Sequence, residues 1–391
     1  MGKIKVAFVG IGGYGGVILK EIYETSLEGF EIVAAVEPFP EKTVCYDRIC
    51  ADKIPIYADM ETMFAQTKKA GKKPDFVVIS TPIQYHTEQI LCALRHGAHV
   101  LCEKPVTGDI ADIPVLEESS RKAGKFLAVG YQWSYSNAIQ KLKTDIQNGV
   151  FGRAQFLKSL VLWPRDRAYF TRSTGWAGKV FASNGKMIRD SIVNNATAHY
   201  IHNILYLLGN KTDAAMPATK VEATLLRTND IQTFDTATVR FLLEDGAQGL
   251  FVVSHCTKKT VEPKFEYIFE KGRIVYPNQD GNIEAVFKSG ERKIYGDPFA
   301  DGAAYKFYKC LEVVQNGGKE VLCGINAAKA QVGFVALLHE NNTIDLTDPA
   351  RVFEIDGRLI VKGLDGLLEE CYGENKLLCE LPEYRQLVAS H

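Results

Sequence analysis

The chain has 391 residues, 46% of them hydrophobic and 24% charged, with a formal net charge of −1. That length accommodates two domains, the apolar share is that of a globular protein, and a near-neutral charge gives no electrostatic reason to expect nucleic acid or an anionic membrane as partner. Nine scattered cysteines with no C-x-x-C pair argue against a disulfide framework and point to the cytoplasm.

The opening MGKIKVAFVGIGGYGG is a short apolar run broken by glycines, a strand rather than a signal peptide or membrane span. Val6 stands where a myristoylation signal after Gly2 needs Ser or Thr. Residues 1–132 then alternate strand-like runs (IKVAFVG, EIVAAVE, DFVVIST, HVLCEKP, KFLAVGY) with amphipathic stretches such as QYHTEQILCALRHG. Such alternation predicts a parallel sheet covered on both faces.

The first strand runs into Gly10-Ile-Gly12-Gly13-Tyr14-Gly15. Gly10 suits a tight turn, Gly12 lets backbone approach a pyrophosphate, and Gly15 lets helix pack on strand. The helix that follows offers its amides and dipole to the phosphates. Glu37, 22 residues after Gly15, stands where a carboxylate binds a ribose 2′-hydroxyl and repels a 2′-phosphate, so NAD is expected over NADP. Ser80-Thr81-Pro82 ends another strand and should line the cofactor; His86, four residues on, is either a packing histidine or a cofactor contact. Cys45 and Cys50 read as buried or half-buried thiols rather than metal or redox groups.

HVLCEKP closes on Glu103-Lys104-Pro105. A lysine on a rigid strand end beside a nicotinamide ring can donate to a substrate oxygen, and partial burial would lower its pKa toward useful acid–base chemistry. The alternative is a surface lysine paired with Glu103. With these residues in view, the chain resembles the Gfo/Idh/MocA oxidoreductases over about residues 1–350. The resemblance rests on Gly10, Gly12, Gly15, Glu37, Thr81-Pro82 with His86, and Glu103-Lys104-Pro105. It implies an α/β fold: an N-terminal Rossmann domain with a doubly wound parallel sheet, then an α+β domain on a large, open, mostly antiparallel sheet. One face of that sheet meets substrate and the other often packs in oligomers. The resemblance also implies a catalytic and substrate-binding role for Lys104.

Tyr131, Trp133, Tyr135, Trp163, Arg165, Asp166, Arg167, Tyr169, Arg172, Trp176 and Lys179 crowd the next segment. Aromatic faces stack on sugars while Arg and Asp bind hydroxyls or carboxylates, so Tyr131, Trp133, Trp163, Arg165 and Trp176 are candidate substrate contacts. The alternative is a surface loop with tryptophan anchors.

From Asp190 a lead-in and helix are expected, capped by Asn194 or Asn195 and closed by Gly209. Thr197, Ile201, Ile204, Leu205 and Leu208 form an apolar side, and Asn195, His199, His202 and Tyr206 fall within about 60° of one another opposite it. His199 reads as a catalytic base, with a packing or metal-binding histidine as alternatives; no third ligand stands at useful spacing, so no metal is expected. The resemblance places His199 at the family's histidine and an Asp four residues earlier, where this chain has Asn195. Either the amide replaces the acid or Asp190 stands in for it; an amide would not stabilise an imidazolium as Asp does. His202 is a further substrate candidate.

Beyond it, VEATLLRT, DTATVRFLLE, GAQGLFVVSHCTK, FEYIFEKGRIVYP and NIEAVFKS read as strands, with hairpin turns at Glu244-Asp-Gly246 and Lys271-Gly272. Mid-strand His255 either reaches the substrate pocket or packs in the core. Two helices follow (YKFYKCLEVVQNG and INAAKAQVGFVALLHEN). The domains expected are 1–132 for the dinucleotide, 133–350 for substrate and oligomerisation, and an extension, 351–391, holding a strand pair and a short helix that could act as a packing arm between subunits. The function expected is a cytoplasmic, homo-oligomeric (dimer or tetramer) NAD-dependent dehydrogenase of a sugar, cyclitol or glycoside. The alternatives are a redox-neutral glycoside lyase or hydrolase using transient oxidation, and a non-catalytic NAD-binding sensor.

Overall fold

The computed structural model describes residues 2–25, 28–171 and 175–389. Six strands, β1 (Ile4–Val9), β2 (Phe30–Val36), β3 (Ile56–Tyr57), β4 (Phe76–Ile79), β5 (His99–Cys102) and β6 (Leu127–Val129), form one sheet. All its pairings are parallel and the order is β3-β2-β1-β4-β5-β6. Val6 to Val9, Phe76 to Ile79 and His99 to Cys102 are buried, as expected of strands covered on both faces. The strand order reverses between β1 and β4, and the crevice outside the carboxyl ends there is where such sheets take ligands. Two-residue β3 is too short to show a periodicity and was not among the predicted strands.

A second sheet holds nine strands: β7 (Ala154–Leu162), β8 (Ala218–Arg227), β9 (Thr236–Leu243), β10 (Gln248–Ser254), β11 (Val261–Phe269), β12 (Gly272–Tyr276), β13 (Ile283–Phe287), β14 (Arg292–Gly296) and β15 (Ile344–Leu346). Their order is β14-β13-β12-β11-β7-β10-β9-β8-β15, antiparallel except for β7 with β10 and β8 with β15. Both expected hairpin turns are present, and Gly246 takes a positive φ of 88°. Central β7 was not predicted: its Gln155, Lys158 and Ser159 break the apolar run, and it leads into the polar stretch after Trp163.

The two halves are interleaved. The helix Tyr305–Gln315 lies against the first sheet, where Phe307 packs on Phe8, Phe30 and Phe76 at centroid distances of 5.8, 5.3 and 5.8 Å. Val129 donates to the Cys323 carbonyl at 2.8 Å, tying β6 to the second half. All nine cysteines are free, and Cys50 is exposed rather than half-buried because it faces outward from the short helix Tyr46–Ala51. No helix among the described residues is long and apolar enough to cross a membrane.

The extension forms the expected strand pair, β16 (Val352–Ile355) with β17 (Arg358–Val361), and a helix, Leu364–Glu374. It folds back on its own sheet. Leu364, Leu368, Cys371, Leu377, Leu378, Leu381 and Leu387 pack against Leu160, Leu162, Leu226, Leu250 and Val252 on the outer face. Along β10 the alternation is clean, with Phe251 and Val253 facing the main core and Leu250 and Val252 facing the tail. Leu378 N and Cys379 N donate to the Thr238 and Thr224 hydroxyls, and the Lys158 and Lys264 ammonium groups sit 4.7 and 4.9 Å over the Tyr372 ring. The sheet face that the resemblance assigns to oligomer packing is thus covered over β7, β8 and β10 by the chain itself. Leu368→Ala should lower stability by about 2–5 kcal/mol, read by urea denaturation. A loss within 0.5 kcal/mol would mean that the tail is only loosely seated.

Candidate active site

β1 ends in a turn that only glycine allows. Gly10 has φ +80°, and a Cβ there would lie 2.7 Å from the Ser80 carbonyl oxygen; at Gly15 it would lie 2.1 Å from the Gly10 carbonyl. Gly13 is exposed with nothing near a Cβ, and Gly12 at the start of the helix Gly13–Glu24 makes no side-chain cap. The first-turn amides therefore face an open cradle, a fit for a pyrophosphate. The Glu37 carboxylate accepts from Ile11 N and Phe39 N, both at 3.3 Å, which holds it beside the loop. Ser80 N donates to the Val9 carbonyl at 2.8 Å, so Ser80, Thr81 and Pro82 line the same edge, half-buried. Tyr14 lies across the loop and donates to Gln132 Oε1 at 2.9 Å.

Two expected cofactor contacts point elsewhere. His86 is 1% exposed, with Nδ1 2.9 Å from the Pro105 carbonyl oxygen and Nε2 2.8 Å from that of Thr81. Both nitrogens face backbone carbonyls, of which a neutral ring can donate to one at a time, so the ring braces the Ser80-Thr81-Pro82 loop against the Lys104-Pro105 turn. Burial holds its pKa below the ordinary imidazole value, against the pull of the two carbonyls. Glu103 is buried and faces Lys306, with Oε1 2.5 Å from Nζ. Lys306 is fully buried and lies 4.6 Å from the Tyr14 ring centroid. Burial works against its charge, but Glu103 and then Tyr14 outweigh it and raise its pKa. A Cβ on Gly130 would sit 2.7 Å from Glu103 Oε1, so the chain passes this pair only as glycine. Sequence reading missed Lys306; its trace was a lysine on the apolar face of an amphipathic helix, four residues before buried Cys310.

Lys104 Nζ donates to the Asn195 carbonyl at 2.6 Å and to its Oδ1 at 3.1 Å. Asp190 instead accepts from Gly178 N at 2.6 Å, and its carbonyl accepts from Thr233 Oγ1, so it braces the turn at 178. Of the two candidates for the acid's place, Asn195 is the one that shares the lysine's ammonium. Neither Asn194 nor Asn195 caps the helix, which runs Ala198–Leu207 from Thr197; the Asn194 amide is drawn back to the Ile188 and Arg189 carbonyls. His199 is the one residue of that helix not buried. Its Nδ1 and the Asn195 Nδ2 have no hydrogen-bond partner among the described residues. Burial, then the charges of Lys104, Lys306 and His202, hold the His199 pKa well below 6.5, so the ring is neutral at physiological pH.

Other substrate candidates form a packed layer behind these groups. Apart from His199 the helix is buried on every side, not only along its apolar stripe, because it is wedged between the helices Asn137–Gln147 and Ile325–Asn341. His202 therefore stacks on Tyr131 at 3.7 Å and contacts Ser134 Oγ at 3.0 Å, without reaching the cleft. Tyr131, fully buried, donates to Gln331 Oε1 and meets His199 edge-on at 5.9 Å. Trp133 is enclosed by Tyr200, Phe265, Tyr276 and Phe299. His255 lies one residue past β10 rather than mid-strand, buried, with Nδ1 donating to the Trp163 carbonyl at 2.7 Å. Half-buried Trp163, Arg165 and Trp176 keep accessible surface: Arg165 lies over Trp163 and Tyr169, and Trp176 packs on Ile83, Ala182 and Ile188 beside the Thr81-Pro82 loop. Arg172 is outside the described residues.

Lys306→Met leaves Glu103 as an uncompensated buried charge and should cost about 3–5 kcal/mol of stability, whereas Glu103→Gln with Lys306→Met should recover most of it. Equal losses in the single and double variants, by chemical denaturation, would show that the pair is not coupled. The imidazole of His199, followed by NMR, should stay neutral on titration from pH 7.5 to below 6.5; protonation at or above 6.5 would contradict the burial described.

Profiles of known families match most of both halves. The oxidoreductase family with an NAD-binding Rossmann fold (Gfo/Idh/MocA) matches residues 4–131, and the Gfo/Idh/MocA C-terminal domain matches residues 139–275. Inositol 2-dehydrogenase of Rhodococcus jostii is 27% identical over 157 residues, 38% of this chain and 39% of that protein. The 2,7-anhydro-N-acetylneuraminate hydratase of Mediterraneibacter gnavus is 24% identical over 207 residues, 52% of this chain and 48% of that protein. The matched region thus spans less than half the length of either relative. The crystal structure of the WlbA dehydrogenase from Bordetella pertussis, in complex with NADH and UDP-GlcNAcA, superposes with a TM-score of 0.71 at 20% identity, over 86% of this chain and 95% of that one. Two family profiles in tandem, a parallel sheet with a glycine cradle at its switch point, and a lysine on the end of β5 lead to one assignment: the chain belongs to the Gfo/Idh/MocA oxidoreductase family.

Proposed function

We propose that the protein is an NAD-dependent dehydrogenase that moves a hydride between nicotinamide and a secondary hydroxyl or the matching ketone of a sugar, cyclitol or glycoside. The observation that carries this reading is the meeting of Lys104, Asn195 and His199 outside the carboxyl end of β5, next to the glycine cradle. Gly10, Gly12, Gly13, Tyr14 and Gly15 would hold the pyrophosphate, Glu37 the adenosine ribose, and Ser80, Thr81 and Pro82 the edge nearer the ring. NAD bound there supplies the hydride acceptor. The carboxylate of Glu37 favours NAD over NADP.

Lys104 Nζ donates to the reacting oxygen and holds its developing charge. His199 is neutral and so free to take the hydroxyl proton. The unpartnered Asn195 Nδ2 is a donor for a neighbouring hydroxyl, which suits a polyhydroxylated substrate. Trp163, Arg165 and Trp176 offer aromatic faces and a guanidinium around the rim. Free cysteines throughout agree with a cytoplasmic setting.

A redox-neutral lyase or hydrolase is the second reading. It is favoured by the likeness to a hydratase and by an amide where the resemblance expects a carboxylate. Absorbance at 340 nm with NAD and a panel of sugars, sugar acids, inositols and glycosides separates the two. A rise that falls about 10²–10⁴-fold in Lys104→Ala is expected of the dehydrogenase. No rise with any member, but consumption of a glycoside by protein carrying NAD, would support the redox-neutral chemistry. Failure to bind NAD would overturn both. Glu37→Gln should narrow the preference for NAD over NADP at least several-fold, and an unchanged ratio would remove Glu37 from cofactor choice.

A further inference from the structure

Away from the cleft, Glu61, Cys92 and His96 converge on the outer surface of the first domain, and one donor atom from each lies within 4.8 Å of the other two. Cys92 and His96 are four residues apart, on one face of the helix His86–Arg95 and its final cap. Glu61 comes from the first turn of a different helix, Met60–Lys69. Cys92 Sγ donates to Glu61 Oε1 at 3.4 Å, and His96 Nε2 is 3.0 Å from Glu61 Oε2. In a tetrahedral zinc site with bonds of about 2.0–2.3 Å, donors are about 3.3–3.8 Å apart. The three atoms therefore need only small rotations to surround one ion. The His96 ring is fixed for this purpose by stacking on Phe64 at 4.2 Å and 12°.

We propose that Glu61, Cys92 and His96 form a site for a zinc-like divalent cation, with water in the fourth position. A thiolate, an imidazole and a carboxylate are the donor set that such a cation takes. Binding displaces the Cys92 thiol proton. Arg95, which also pairs with Glu61 Oε1, keeps that oxygen while Oε2 turns to the metal. Glu61 is well exposed, so the ion can load and leave. The site pins two helices together at the end of His86–Arg95 remote from His86, about 15 Å along the helix axis. It has no part in hydride transfer.

The test is titration of the full chain with Co²⁺, in a Cys50→Ser/Cys379→Ser background that removes the exposed thiols. One equivalent should give a thiolate-to-cobalt charge-transfer band together with the intense visible absorption of a tetrahedral ion, and Zn²⁺ should abolish both. Cys92→Ser should remove the charge-transfer band, and His96→Gln should weaken affinity at least tenfold. Arg95→Ala, which keeps all three donors, should keep the band and tighten binding; Lys104→Ala should change neither. Zinc should raise the midpoint of thermal unfolding of the background protein but not of folded Cys92→Ser, as binding to the native state requires. No band in either the background or Arg95→Ala, or a band that survives Cys92→Ser, would overturn the proposal.

Discussion

Glu103 and Lys306 place opposite charges side by side in the interior, one at the end of β5 and the other on a helix from the far half of the chain. Stripping water from two ions costs several kcal/mol each, so such a pair persists only where its geometry is held. Much of the site's arrangement follows from holding it. The helix Tyr305–Gln315 must lie on the first sheet, Gly130 must be glycine, and Tyr14 must cross the ammonium. The turn that presents Lys104 is braced from below by this pair and from the side by His86. Lys104 is therefore mounted on a frame to which both halves of the chain contribute.

Above that frame the proposed chemistry depends on what is kept neutral. His199 sits close enough to cations, and far enough from water, that its proton-free form dominates. The amide of Asn195 accepts from Lys104 without adding negative charge of its own. A carboxylate in that position would pull the nearby imidazole toward its charged form; the amide leaves the ring a weak but ready acceptor. Tyr131 and His202, stacked behind it, give the ring a stiff backing.

Local features were legible in the sequence. The glycines and Glu37 are bound to the strand and turn in which they lie, and the runs of Val, Ile and Phe announce strands buried on both faces. Glu103-Lys104-Pro105 likewise carries its context with it. Partnerships between distant segments were not legible. Nothing near Glu103 names Lys306, and no local pattern around His202 shows that two further helices close over its polar stripe. His86 had two readings because capping, bracing and ligand contact all use the same ring. Strand β7 was hidden for a related reason: the ammonium of Lys158, in the middle of its apolar run, is satisfied by the distant tail, donating to the Tyr372 carbonyl at 2.9 Å.

That tail also sets the order in which the molecule can be finished. The leucines on the outer face of β7, β8 and β10 are made well before Leu364, Leu378 and Leu387, which cover them. During synthesis the large sheet therefore stands with one apolar side bare until residues 352–388 leave the ribosome. A stop before residue 352 would yield a chain with every element of the proposed chemistry in place and a wide adhesive surface. Such a chain would be a substrate for chaperones and proteases rather than for cofactor.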